Sequence, residues 1–174
     1  MKIHQQTFTD LVLRQIWNVV WFLFCRFTPP PFHIWRIFIL KLFGAKIKLN
    51  VRIYSSCKIF RPWNLVMDNN SWLGRNVDCY SYDKIFIGEK SIISQNTFLC
   101  TGSHDYNSKN FELITAPIVI ESNVWVSSRV FVGPGVTIKD NCVILACSVV
   151  TKNTEQNYVY AGNPAKILKK RNLQ

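Results

Sequence analysis

No apolar stretch of this 174-residue chain comes near the roughly 20 residues that a membrane-spanning helix needs. The nearest is residues 15–25, QIWNVVWFLFC, held between Arg14 and Arg26. The run ends in Arg26, Phe27, Thr28 and three prolines, with no small-residue cleavage site, which argues against an export signal. The six cysteines (25, 57, 79, 100, 142 and 147) contain no CxxC and no zinc-type spacing, so neither a zinc ribbon nor a dithiol redox motif is expected. They read as reduced core residues of a cytoplasmic protein, with a structural disulfide as the alternative. Acidic residues are scarce: 10 Asp and Glu face 21 Lys and Arg, a net charge of +11. Such a field favours polyanions. Yet the basic residues form no long run and no nucleic-acid-binding module, so nucleic acid is not an expected partner. Solubilising surface charge accounts for most lysines, and a phosphate-rich cofactor would use some.

What is present is a globular composition, 48% hydrophobic and 18% charged, of a length suited to one full domain. Aromatic residues, 14% of the chain, crowd toward the N-terminus. After Pro29, Pro30 and Pro31 the sequence reads FHIWRIFILKLFGAKI, so the region predicts two helices joined by a stiff turn. Two readings of it stand together. One is a helical cap on the domain that follows, and the other is peripheral contact with a membrane interface, where rings and cations meet anionic lipid.

From Ile47 onward the chain has a period of six. Ile120, Val126, Val132, Ile138, Ile144 and Val150 place an aliphatic residue at every sixth position. Val124, Val130, Val136, Cys142, Ser148 and Thr154 follow each by four. A second run is Ile87, Ile93 and Leu99, with Ser91, Thr97 and Ser103 at the same offset; a rougher one is Ile47, Ile53, Ile59 and Leu65. This period suits neither an α-helix nor an alternating strand; it is the hexapeptide pattern of a parallel β-helix, three hexapeptides to a triangular coil. Ile120 should stack on Ile138 and Val126 on Ile144. Slips between Leu65 and Leu73, and between Cys79 and Ile87, predict corner bulges. The long gap from Leu99 to Ile120 predicts that residues 104–117 leave the helix as a loop. The expected organisation is a helical segment, 1–43, and a β-helix domain, 44–174, with a basic tail.

Over roughly residues 44–171 the sequence resembles the hexapeptide-repeat acetyltransferases, above all the colanic-acid type and more distantly the galactoside and maltose enzymes. The residues that carry the likeness are LCTGSHD ending at Asp105, PIVIESNVW ending at Trp125, and FVGPGVTI ending at Ile138. SVVTK ending at Lys152 and AGNPAK ending at Lys166 complete it. The resemblance implies a left-handed β-helix, acetyl-CoA as donor, no metal, a homotrimer, and a sugar hydroxyl of an exopolysaccharide or capsule as acceptor. It implies His104 as general base and the Ser128 amide as oxyanion donor. Trp125, Ala146, Thr151, Lys152, Lys166 and Lys169 match positions that line the cofactor groove. Relatives orient the histidine or bind the acceptor with Asn or Asp; Asn76, Asp78 and Asp105 are the candidates here. Ser127 and Ser128 depart from the glycine or alanine that many relatives carry. His4 and His33 are read as structural.

The γ-type carbonic anhydrases share this fold but need three zinc-binding histidines, and only His104 lies in the repeats. A non-catalytic β-helix would need neither the AGNPAK tail nor the His104 loop. The apolar, basic N-terminus suits a lipid-linked glycan at the inner face of the cytoplasmic membrane. A free or nucleotide sugar, a lipo-oligosaccharide and a small-molecule antibiotic remain as other acceptors.

Overall fold

A computed structural model describes residues 1–3 and 7–172; His4 lies outside the described residues. Helix α1 spans Phe8–Phe24 and starts seven residues before the apolar run, because Thr7 caps it. The Thr7 hydroxyl accepts the Asp10 N–H at 3.3 Å, which satisfies one of the free donors of the first turn. Helix α2 spans His33–Leu42. Between them the prolines make the expected turn, and a buried arginine pins it. Arg36 donates to the carbonyls of Ile53 (2.7 Å), Pro29 (3.0 Å) and Pro30 (2.8 Å) and to the Thr28 hydroxyl (2.7 Å). A buried cation is tolerable only when its donors are met in this way. The same residue therefore closes the turn and plugs the first coil. His33 packs beside it, its Nδ1 2.9 Å from Ile53 O and 3.1 Å from Ile53 N, a structural role.

The chain then winds into a parallel β-helix of five complete coils and the start of a sixth. Its three faces are defined by their inward stacks. Face one carries Ile47, Met67, Ile87, Ile120 and Ile138. Face two carries Ile53, Leu73, Ile93, Val126, Ile144 and Tyr160. Face three carries Ile59, Cys79, Leu99, Val132 and Val150. The stacks of Ile120 on Ile138 and Val126 on Ile144 are those the period predicts.

The first coils correct one expectation. Met67, not Leu65, stacks on Ile47. Twenty residues separate Ile47 from Met67 and Met67 from Ile87, against eighteen from Ile120 to Ile138. A short 3-10 turn at Pro62–Asn64 takes up the surplus in the first of these intervals, and Leu65 becomes a second interior residue opposite Ile85. The bulge thus falls before Leu65 rather than after it.

Corners follow a rule of their own. Asn70, Asn76, Asn96, Asn123 and Asn141 each sit three residues before an inward aliphatic or cysteine, with φ between 55° and 60°. Asparagine tolerates this left-handed backbone better than other side chains. Buried hydroxyls bind neighbouring coils: Ser91 Oγ donates to Glu121 O (2.6 Å) and Thr97 Oγ1 to Ser127 O (2.9 Å). All six cysteines are free thiols, and only Cys147 is exposed. Burial pushes the Cys57 thiol up to about 12.

Each coil contacts only its neighbours, so interior methyls set the stability coil by coil. Ile144 is fully buried between Val126 and Tyr160. Ile144→Ala is expected to lower unfolding free energy by about 2–5 kcal/mol, read as a lower urea midpoint with unchanged slope.

The excursion after Leu99 is more ordered than a loop. Gly102–His104 pairs antiparallel with Leu113–Thr115, making a hairpin. Lys2–Ile3 adds a third strand on its far side. Ser103 consequently leaves the core and is exposed, unlike Ser91 and Thr97.

Candidate active site

The hairpin projects from the edge where face three turns into face one. Its base is tied by Thr101, whose hydroxyl donates to Tyr80 O at 2.8 Å and accepts the Asp83 N–H at 2.9 Å. A side chain at Gly102 would meet the rings of Tyr82 (3.4 Å) and Tyr80 (3.6 Å), so the strand passes close over an aromatic surface. His104 stands exposed on this strand.

Its Nδ1 lies 2.5 Å from the carbonyl oxygen of Phe111. A carbonyl only accepts, so in the neutral ring Nδ1 holds the proton and Nε2 presents its lone pair outward. Phe111 adopts φ 49°, a left-handed turn at the hairpin end. The orienting group is thus a backbone carbonyl seven residues on, which no side-chain pattern reveals. A positive φ at an aromatic residue has no sequence signature.

None of the three polar candidates is seen hydrogen-bonded to His104 among the described residues. The Asp105 carboxylate caps the hairpin tip by accepting the Asn107 N–H at 3.0 Å. Asn76 occupies the corner between faces two and three, its N–H donating to Ser56 Oγ at 3.0 Å. Asp78 points out from face three in register with Lys58 and Phe98. Burial raises its carboxyl above the usual range, and the Lys58 charge opposes that rise. Asp78 and Asn76 line a cleft of about 890 Å³ between α1 and face three, with Trp17, Trp21, Phe60, Tyr80 and Phe98 supplying apolar walls.

The remaining candidates divide between two edges of the prism. Ser128 lies at the corner between faces two and three, next to Arg129 at φ 57°. Its carbonyl accepts the Cys147 N–H (3.1 Å), which sets the Ala146 corner directly beside it in the next coil. Trp125 lies on the outside of face two, beside that corner, with Nε1 donating to Ser94 Oγ at 2.9 Å. Lys166 pairs with Ala161 and Lys169 with Val159 in a final antiparallel strand that extends face two. Ala165 N–H bonds to Val149 O (2.8 Å), bringing the turn before Lys166 over the end of face three. Thr151 and Lys152, by contrast, follow the last strand of face three and share the edge from which the His104 hairpin leaves. One chain therefore carries His104, Thr151 and Lys152 on one edge. It carries Trp125, Ser128, Ala146 and Lys166 on another, with face three between them.

Known proteins show the same pattern. Residues 117–152 match the family described as bacterial transferase hexapeptide (six repeats). Over 157 residues the chain is 44% identical to a protein of Escherichia coli (strain K12) assigned provisionally as the colanic acid biosynthesis acetyltransferase WcaF. That match covers 90% of this chain and 86% of the relative. A maltose O-acetyltransferase from Clostridium difficile 630 superposes with TM-score 0.85 at 26% identity, over 96% of this chain and 90% of the other. A galactoside acetyltransferase in complex with coenzyme A does so with TM-score 0.86 at 26% identity, over 97% and 86%. Fold, repeat and sequence agree, and the chain belongs to the hexapeptide-repeat acetyltransferases, enzymes built on a left-handed parallel β-helix.

Proposed function

We propose that this enzyme moves an acetyl group from acetyl-CoA to a sugar hydroxyl of a bacterial surface polysaccharide, with His104 as general base. The observation that carries the reading is the His104 ring itself: exposed on a tied hairpin, with Nδ1 engaged by the Phe111 carbonyl and Nε2 open. An imidazole poised in this way can act as a general base through Nε2. Nε2 removes the hydroxyl proton as the acceptor oxygen attacks the thioester carbonyl. The tetrahedral oxyanion accepts a hydrogen bond from the Ser128 N–H. The C–S bond then breaks, the imidazolium returns its proton to the departing thiolate, and an O-acetyl ester and free CoA remain. No acetyl-enzyme is formed.

The donor groove is assembled between two copies of the chain. The edge bearing His104, Thr151 and Lys152 meets the edge bearing Trp125, Ser128, Ala146 and Lys166 of a neighbour, and Lys169 stands nearby. Such a head-to-tail contact closes into a ring, here a homotrimer. Lysines at the end of the groove act as point charges on the cofactor's phosphates. Coenzyme A in the related galactoside enzyme supports the donor assignment, and the colanic acid assignment of the 44% identical relative supports the acceptor class. The cleft between α1 and face three suits a sugar, since rings such as Tyr80 and Phe98 can cover its apolar side while Asp78 and Asn76 meet hydroxyls.

The test is to incubate the protein with isotope-labelled acetyl-CoA and surface glycan, following thiol release and the mass of the glycan repeat. The expected result is a labelled acetyl ester on the glycan. Thiol release equal with and without glycan would overturn the acceptor assignment.

A further inference from the structure

The positive charge is not spread over the molecule. Residues 1–67 hold ten Lys and Arg against one acid, Asp10, while the remaining residues hold eleven against nine. The single acid is consumed internally, because Asp10 pairs with the buried guanidinium of Arg61. Arg26, Lys41 and Lys46 are exposed and have no acidic partner among the described residues.

The same segment exposes large apolar side chains in two stripes. On α1 they include Val12 (43% exposed), Val19 (57%) and Leu23 (62%), opposite the buried Trp17 and Trp21. On α2 they include Ile34 (82%), Phe38 (52%) and Leu42 (66%), spaced by four. A surface helix normally turns its apolar stripe to the core and keeps polar residues outside. Here only the inner stripe is covered by the β-helix, through contacts such as Trp17 Nε1 donating to Ile59 O at 2.6 Å. The two helices are fastened as one unit, with Trp35 Nε1 donating to Phe24 O at 2.8 Å and Arg36 holding the turn between them. Among the described residues no helix is long and apolar enough to cross a membrane.

The geometry points to the outer stripes of α1 and α2 as a docking surface for an anionic phospholipid membrane, with both helices lying in the plane of the interface. Apolar side chains enter the headgroup boundary, and Arg26, Lys41 and Lys46 meet lipid phosphate. Charge decides between lipid and a second copy of the chain. Pressing two such faces together would oppose two segments of the same strong positive sign, which is repulsive. An anionic bilayer satisfies both the charge and the apolar area. The docking extends the acceptor reading, and rests on it only for the idea that the glycan is held at the membrane.

The experiment uses the full chain with vesicles of phosphatidylcholine alone, or of phosphatidylcholine with phosphatidylglycerol. Sedimentation is expected with the anionic vesicles, weakened by salt and absent with the zwitterionic ones. A Leu23→Glu/Phe38→Glu double variant should lose at least about tenfold in partitioning. A Lys41→Glu/Lys46→Glu variant, altering only exposed side chains, should lose the anionic preference. Circular dichroism and transfer to a soluble glycan fragment should stay at wild-type levels in both. Wild type that ignores anionic vesicles overturns the proposal. So does a double variant that binds as tightly as wild type, or one that instead breaks an oligomer apart. Vesicle binding without any acetyl transfer would sink the acceptor reading and leave the docking surface standing.

Discussion

His104→Ala is expected to reduce kcat/KM for acetyl transfer by about 10²–10⁴-fold, the usual contribution of a positioned general base. The loss should fall on kcat, because in the proposed mechanism the imidazole acts on the acceptor hydroxyl as it attacks and holds no part of the coenzyme. Acetyl-CoA affinity, measured by calorimetry, should therefore stay within a few fold of wild type. Folding is not at risk, since the side chain is exposed and its strand pairs through the backbone. A variant that loses acetyl-CoA binding in parallel with activity would give His104 a binding role instead. One that keeps its activity would remove it from the chemistry.

The second large effect concerns assembly. Ser128→Pro deletes the N–H assigned to the oxyanion while suiting the backbone, because Ser128 precedes a left-handed turn residue and proline is favoured at that place in a turn. Alone, Ser128→Pro and His104→Ala should each be nearly inactive. Unfolded and refolded together in equal amounts, they should regain activity, because the proposed assembly draws the histidine edge of each site from one copy and the serine edge from the next. With random mixing in a closed ring, about one quarter of the sites combine both intact edges, so about a quarter of wild-type activity is expected. Sites contained within one chain would give no recovery. The readout, thiol release after refolding, separates these outcomes cleanly.

The β-helix was legible because its interior demands one aliphatic residue per hexapeptide, and Ile120 to Val150 meet that demand without a break. Where the demand relaxes, spacing no longer assigns the interior residue. Leu65 and Met67 are both interior and both apolar, so spacing alone could not say which stacks on Ile47. The corner asparagines were visible as residues but not as a rule, since their role follows from backbone angle rather than hydrophobicity. The motif singles out His104 as the candidate base. Its orienting partner was not legible, because a carbonyl belongs to every residue and only the turn at Phe111 aims this one. The separation of His104 from Ser128 onto different edges was likewise hidden. Sequence distance says which residues share a coil, and only the coiled chain says which corner each occupies.

The third strand of the hairpin has a consequence for the order in which the chain folds. Partners within the β-helix lie one coil apart, so winding can proceed from neighbour to neighbour at small cost in loop closure. Ile3 pairs with Ile114, on the other side of most of the chain. That long-range contact is rewarded only after the intervening coils exist, and so it is formed late. Edge strands with few buried contacts also open most readily in the native state. The strand that flanks the His104 hairpin is thus expected to be the last order the folding chain gains and the first that thermal fluctuation takes away. Amide exchange should report that order as a short-lived, local protection on an otherwise slowly exchanging rod.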